Sequence, residues 1–150
     1  MSGRRVGGRV ANAQAGWHEV GGRRVYFRSQ LELRHAQLLE MQARAGLLTW
    51  EHEPKRFDFP CRGPGYLPDF RVTYPDRVVW HETKGYLDPA SITKLVRMAR
   101  YYPEETVVLV GARLGVKDAA RVERAREMGR REVEKAKRRE EERQREEADK

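Results

Sequence analysis

Apolar residues recur with two different periods along this chain, and the changes between them mark out its elements. Around Gly21-Gly22, WHEVGGRRVYF alternates apolar and polar positions, which predicts a short β-hairpin. From Ser29 the spacing lengthens to that of a helix. SQLELRHAQLLEMQARAG predicts an amphipathic helix with Leu31, Leu38, Leu39 and Met41 on its apolar side. Ala36 and Ala43 are small enough to lie near a core, Ser29 suits the N-cap, and Gly46 ends the helix. LLTWEHEPKRFDF reads as a strand interrupted near Pro54, CRGPG as a turn, and GYLPDFRVTYPDRVVWHETKGY (65–86) as strand–turn–strand.

DPASITKLVRMARYYP predicts a second helix, with Asp88 at the N-cap and Pro89 in the first turn. Ile92, Leu95, Val96 and Ala99 line one side of it. TVVLVGA is a continuous apolar run, the pattern of a strand buried on both faces. Hairpin, helix, strands, helix and strand in that order predict an α/β core, a mixed central β-sheet flanked by helices. After Val116 the chain is almost entirely charged. Val116, Ala119, Ala120, Val122, Ala125 and Met128 support a few helical turns, and Glu and Arg at spacings of three and four sustain a solvated helix beyond them. The expected organisation is a flexible basic arm (1–16), a core (17–115) and a charged helical tail (116–150).

Charge adds a partner to this picture. The formal net charge is +8, distributed as +5 over residues 1–28, +1 over 29–116 and +2 over 117–150. A basic arm on a near-neutral core points to a polyanion, nucleic acid first. Arg4, Arg5, Arg9, Arg23 and Arg24 are candidate phosphate contacts, of the kind that fix position without reading sequence. Cys61 is the sole cysteine, so neither an internal disulfide nor a cysteine-based zinc site is available. The N-terminal stretch lacks the apolar core of a secretory signal and no apolar run approaches a membrane span, so a cytoplasmic protein is expected.

The stretch 65–86 poses a chemical question, because strands disfavour Asp, Glu and Lys. With the turn centred on Pro75-Asp76, opposed residues have numbers that sum to 151. Tyr74 then faces Arg77, Val72 faces Val79, and Asp69 faces Glu82. Directly opposed Cβ atoms lie roughly 4.5–5.5 Å apart, so these two carboxylates converge. Lys84, two residues beyond Glu82, shares their face, while His81 and Thr83 point to the other. Two converging carboxylates suit Mg²⁺, which favours an octahedral oxygen shell. An adjacent ammonium can position a water or offset charge on a phosphoryl group. A charged surface hairpin with one cross-strand ion pair is the alternative.

PDF at 68–70 followed by ETK at 82–84 resembles the PD-(D/E)xK nuclease signature. The layout of residues 17–111 is similar to the phage endonuclease I-like and archaeal-type Holliday junction resolvases of that superfamily. The resemblance implies a restriction-endonuclease-like core and a Mg²⁺-dependent DNA endonuclease, with Mn²⁺ able to substitute. It implies Asp69 and Glu82 as metal ligands, Glu32 on the first helix as an outer ligand, and Lys84 as base or charge stabiliser. Glu32 has a second reading, since Ser29-Gln30-Leu31-Glu32 forms a capping box whose Glu reaches back to the Ser29 amide. Pro75-Asp76 also precedes ETK, but it falls at the hairpin tip, far from Lys84.

His35 is expected on the surface or near the metal, and Tyr66 and Tyr86 in core or rim packing at the hairpin base. The function expected is a resolvase cutting four-way junctions as a homodimer, whose two-fold symmetry supplies two active sites. Other nicking, restriction-like or repair nucleases, a non-catalytic nucleic-acid-binding module, and an interaction protein working through the C-terminal helix are the alternatives.

Overall fold

The computed structural model describes residues 15–150, so Arg4, Arg5 and Arg9 lie outside the described residues. The fold is α/β: a mixed four-stranded sheet, a separate two-stranded sheet and three helices. β1 (Gly16–Val20) and β2 (Arg23–Phe27) pair antiparallel as the two-stranded sheet. Gly21 and Gly22 turn the chain between them at φ of 61° and 72°, the left-handed pair a two-residue hairpin turn requires. Burial alternates along β1 and over Arg24–Phe27, but not with hydropathy, since two aromatics face outward. Val20 and Phe27 are buried, whereas Trp17, Glu19, Arg24 and Tyr26 face solvent.

α1 (Gln30–Arg44) begins at Ser29, whose hydroxyl accepts the Glu32 amide at 3.1 Å, and it ends just before Gly46, which sits at φ 76°. Its buried face differs from the one hydropathy predicts. Glu32, Leu33, His35, Ala36 and Leu39 are buried, while Leu38 and Met41 are 49% and 70% exposed. Two polar side chains turn inward because hydrogen-bond partners await them there, and that rotates the helix away from its most apolar arc.

β3 (Thr49–His52), β4 (Phe70–Thr73), β5 (Val78–Thr83) and β6 (Val107–Val110) form the main sheet in that spatial order. β3, β4 and β5 are antiparallel neighbours. β6 runs parallel to β5 and is reached through α2 (Pro89–Tyr101), a crossover connection. α2 starts as expected, with Asp88 accepting the Ser91 amide at 2.7 Å and Pro89 in the first turn. β6, by contrast, is not buried on both faces. It is an edge strand with Val108 42% exposed, so its apolar run reflects one covered face and a partly open one.

Two apolar clusters hold the layers together. Phe27, Leu39, Trp50, Phe70 and Val72 pack with α1 and the hairpin. Phe57, Tyr66, Trp80 and Met98 form the second, which engages α2. Burial of this kind contributes roughly 1.5–3 kcal/mol per large side chain. α3 (Val116–Ala148) is one continuous helix that docks on α2 through Ala125 and Gly129. A Cβ at Gly129 would collide with the Arg100 carbonyl oxygen, so glycine sets this close approach. Arg126 donates to the carbonyls of Pro103 and Glu105 at 2.9 and 3.2 Å, and Arg100 forms a two-point ion pair with Glu132. Residues 131–150 are exposed on every side. Among the described residues, no helix is long and apolar enough to cross a membrane.

Candidate active site

The register of the β4–β5 hairpin is the predicted one. Phe70 pairs with His81 and Val72 with Val79, and the Tyr74 amide donates to the Arg77 carbonyl at 2.8 Å. Asp69, one residue before β4, therefore stands at the position opposite Glu82, the penultimate residue of β5. Pro75 and Asp76 occupy the turn.

Each carboxylate is held by named donors. Asp69 Oδ2 accepts the amide of Thr83 at 2.8 Å and its hydroxyl at 2.7 Å. The Asp69 carbonyl accepts the Glu53 amide at 2.8 Å, which ties it to the end of β3. Glu82 Oε2 accepts the Tyr66 hydroxyl proton at 2.9 Å, and Lys84 Nζ stands 3.9 Å from Glu82 Oε1. Lys84 is fixed at its backbone, where its amide donates to the Val110 carbonyl at 2.9 Å. Gly111, at φ 100°, makes room there, because a Cβ would lie 2.5 Å from the Lys84 carbonyl oxygen.

Glu32 enters the same cavity from the first turn of α1. That cavity measures about 650 Å³ and is lined by Glu32, Tyr66, Asp69, Glu82, Lys84 and Leu95, among others. All four residues singled out by the sequence thus share one space. Both oxygens of Glu32 are already engaged by other partners. Its Oε1 lies 2.6 Å from His52 Nε2, and its Oε2 accepts the Arg28 amide at 2.9 Å. The predicted box reaches one residue further back than expected, to Arg28 rather than Ser29. The hydroxyl half of the box is as expected.

Burial makes the paired acids reluctant to ionise. Desolvation is the largest effect on Glu82, the Asp69 charge adds to it, and together they raise its carboxyl to about 7. The Tyr66 hydrogen bond and the Lys84 ammonium pull in the opposite direction. Asp69 is also raised, first by desolvation and further by Glu32, against the Thr83 hydrogen bonds. Tyr66 is pushed well above its ordinary range by burial and by the Glu82 charge, so it stays a hydroxyl donor. Two buried acids facing one ammonium leave negative charge undercompensated when both ionise. An all-oxygen donor pair of this kind fits a hard divalent cation. Among the described residues, the trio of acidic or imidazole groups whose ligand atoms all lie within 4.8 Å of one another is Glu32, His52 and Glu53. Glu53 adopts a left-handed φ of 45°, rare for a residue with a Cβ.

Four residues here escaped sequence reasoning or were misread by it. Thr83 is not mere packing on the far face, because its hydroxyl and amide both serve Asp69. Tyr66 lies in the core, one of the two placements expected, but its hydroxyl also donates to Glu82, which the sequence did not signal. His52 orients Glu32, and nothing in WEHEP signalled it. His35 is not a surface side chain: it is buried, with Nε2 2.8 Å from His81 Nδ1 and its ring edge-on to Phe70. Tyr86 packs little, at 79% exposed. Of the expected phosphate contacts, Arg23 is engaged in the structure itself, donating to the Trp50 carbonyl at 3.1 Å with its guanidinium 4.3 Å above that ring. Arg24 lies 5.4 Å from the centre of the Trp17 ring on the open face of the hairpin.

Tyr66→Phe removes a hydrogen bond that favours the ionised form of Glu82. The Glu82 carboxyl should rise further, and divalent-cation affinity at pH 7 should fall about tenfold, the scale of one charged hydrogen bond. Calorimetric titration with Mg²⁺ or Mn²⁺ checks this, and unchanged affinity would separate Tyr66 from the site. No protein-family model, curated protein or solved structure matches the chain.

Proposed function

We propose that this protein is a metal-dependent DNA endonuclease with a restriction-endonuclease-like core. The observation that carries the reading is the meeting of Asp69, Glu82 and Lys84 in one cavity, with both carboxyls held above their usual range by burial. Such an arrangement is costly for stability unless the site is used, because each buried charge must be compensated. Asp69 and Glu82 would hold a dication, which when bound would lower the pKa of a water and polarise a phosphoryl oxygen. The chain's own residues do the rest. Thr83 holds the Asp69 carboxylate in place, and Tyr66 does the same for Glu82. Lys84 presents its ammonium beside Glu82, where it orients the attacking water or offsets charge gathering on the phosphoryl oxygens. Glu32, now engaged by His52 and the Arg28 amide, would serve as an outer ligand to such a cation.

The partner is DNA, and branched DNA is the substrate class we favour, with a homodimer cutting four-way junctions in two symmetric places. The small nuclease-like core favours reading of shape. The test is cleavage of a labelled four-way junction beside a matched linear duplex, in Mg²⁺ and in EDTA, for wild type and Glu82→Gln. Paired nicks in the junction that vanish with EDTA and with the variant are expected. Equal cutting of the duplex would retain the nuclease and remove the junction selectivity. Binding without cleavage across several divalent metals would leave a nucleic-acid-binding module.

A further inference from the structure

The β1–β2 hairpin carries a feature that the catalytic reading leaves unused. Trp17 and Tyr26 are directly paired across the two strands, and both side chains point outward. Their rings meet edge to face at 5.6 Å, yet Trp17 stays 60% and Tyr26 46% exposed. Two large aromatics side by side in water forgo the burial that ordinarily stabilises them. The hairpin does not need them for its own anchorage, which comes from Val20 and Phe27 beneath.

Their surroundings are charged, with Arg23, Arg24 and Arg28 beside Glu51 and Glu53, and Arg28 is ion-paired to Glu53 at 3.3 Å. Arg24 shares the outward face and lies 5.4 Å from the Trp17 ring centre. Glu19, the acid on that face, is matched across the strands by Arg24. Trp17 and Tyr26 line a cavity of about 510 Å³ together with Arg24, Arg28 and His52. Arg28 also lines the cavity that holds Asp69, Glu82 and Lys84. Arg28 is thus a wall common to the cavity beside the aromatic pair and the candidate active site. The sequence before β1 adds Arg4, Arg5 and Arg9 and no acidic residue through position 14.

Exposed aromatic faces interleaved with arginines are the chemistry of single-stranded nucleic acid binding, in which bases stack on rings and phosphates meet guanidinium groups. We propose that Trp17 and Tyr26 form a stacking platform for unpaired bases of the DNA strand that continues into the catalytic cavity. A base paired within a duplex keeps its faces stacked on its neighbours, so the platform selects DNA with unpaired nucleotides close to the cut. This rests on the nuclease reading for its meaning, and it narrows the substrate to flapped, gapped or locally opened branched DNA, since a fully paired four-way junction offers no unpaired base.

The test measures binding alone, with the full chain in EDTA. Fluorescence anisotropy of a labelled oligothymidylate and of a blunt duplex is followed for wild type, Trp17→Ala, Trp17→Phe and Tyr26→Ala. Trp17→Ala should weaken oligothymidylate binding roughly tenfold, within the span measured for stacked bases, and leave duplex binding within about twofold. Trp17→Phe should restore most of the loss, since a ring remains. Oligothymidylate should also quench the fluorescence of wild type more than that of Trp17→Phe. Equal single-strand binding by wild type and both alanine variants would overturn the platform, as would a loss in Trp17→Ala shared equally by the duplex, or no binding of oligothymidylate at all. Because both side chains are outward, circular dichroism should match wild type and melting should fall by no more than a few degrees, the cost of the cross-strand ring contact. The cleavage assay on duplex and junction judges the nuclease separately, so either reading can fail while the other stands.

Discussion

Lys84→Met should slow phosphodiester cleavage about 10³-fold, within the usual range for losing a positioned proton-transfer or charge-stabilising group. Binding of DNA and of the divalent cation should change by no more than a few-fold. The separation follows from geometry. The ammonium lies 3.9 Å from Glu82 Oε1 and its side chain remains 37% exposed, so it faces the cavity more than the core. Methionine preserves the stem and removes only the charge. The backbone at this point is held independently by the Lys84 amide on the Val110 carbonyl and by the close approach of Gly111. Lys84→Arg should not restore the rate, because a guanidinium is broader and does not give up its proton. Single-turnover cleavage at saturating protein, beside anisotropy for DNA binding, measures both quantities. Full activity in Lys84→Met would remove Lys84 from the mechanism.

The second large effect is on stability. Without a bound cation, the folded protein should become less stable as pH rises from 6.5 to 8, and Mg²⁺ should reverse the loss at pH 8. Glu82 has a carboxyl raised from 4.5 to about 7, so the folded state keeps a proton that the unfolded chain has released. A raised folded value means stability that is full below 4.5 and lost as pH passes through about 7. Across 6.5–8 this is worth on the order of 1 kcal/mol from Glu82, and the raised carboxyl of Asp69 acts in the same direction. For a core of this size that corresponds to a fall in Tm of about 4 °C.

Below that window the buried imidazoles oppose the trend. His35 is lowered to about 4, first by burial and then by His81, and His81 is lowered by burial. Their contribution is full above 6.5 and lost as pH falls toward 4. Metal-free stability should therefore peak on the acid side of neutrality. Glu82→Gln can still accept the Tyr66 hydrogen bond but no longer ionises. It should melt higher than wild type at pH 8, flatten the slope and abolish the response to Mg²⁺, a gain in stability at the expense of activity. Thermal melts at several pH values, with EDTA or Mg²⁺, decide it. A melting temperature of wild type that is flat or rising from 6.5 to 8 in EDTA would show that these carboxyls are not raised.

Much of this molecule is legible from local rules. Hairpin alternation, the Ser29 and Asp88 caps, the turn at Pro75-Asp76 and the register that opposes Asp69 to Glu82 follow from spacing and turn chemistry. Each depends on neighbours a few residues away, and the strand period of two leaves no freedom once a turn is set. The place of Glu32 in the shared cavity is implied by the family resemblance alone, since local rules offer only its capping-box role.

What the sequence did not decide depends on residues far apart in the chain. α1 buries Glu32 and His35 in place of Leu38 and Met41 because His52 and His81 lie beneath it to receive them, and hydropathy carries no information about such partners. Thr83 serves Asp69 across the hairpin, Tyr66 reaches Glu82 from an irregular segment, and β6 lies at an edge because no strand follows it in the sheet. Even the protonation of the two acids is a tertiary property. It arises from the water excluded around them, which no spacing of residues encodes, and local order along the chain determines only where the carboxyls can meet.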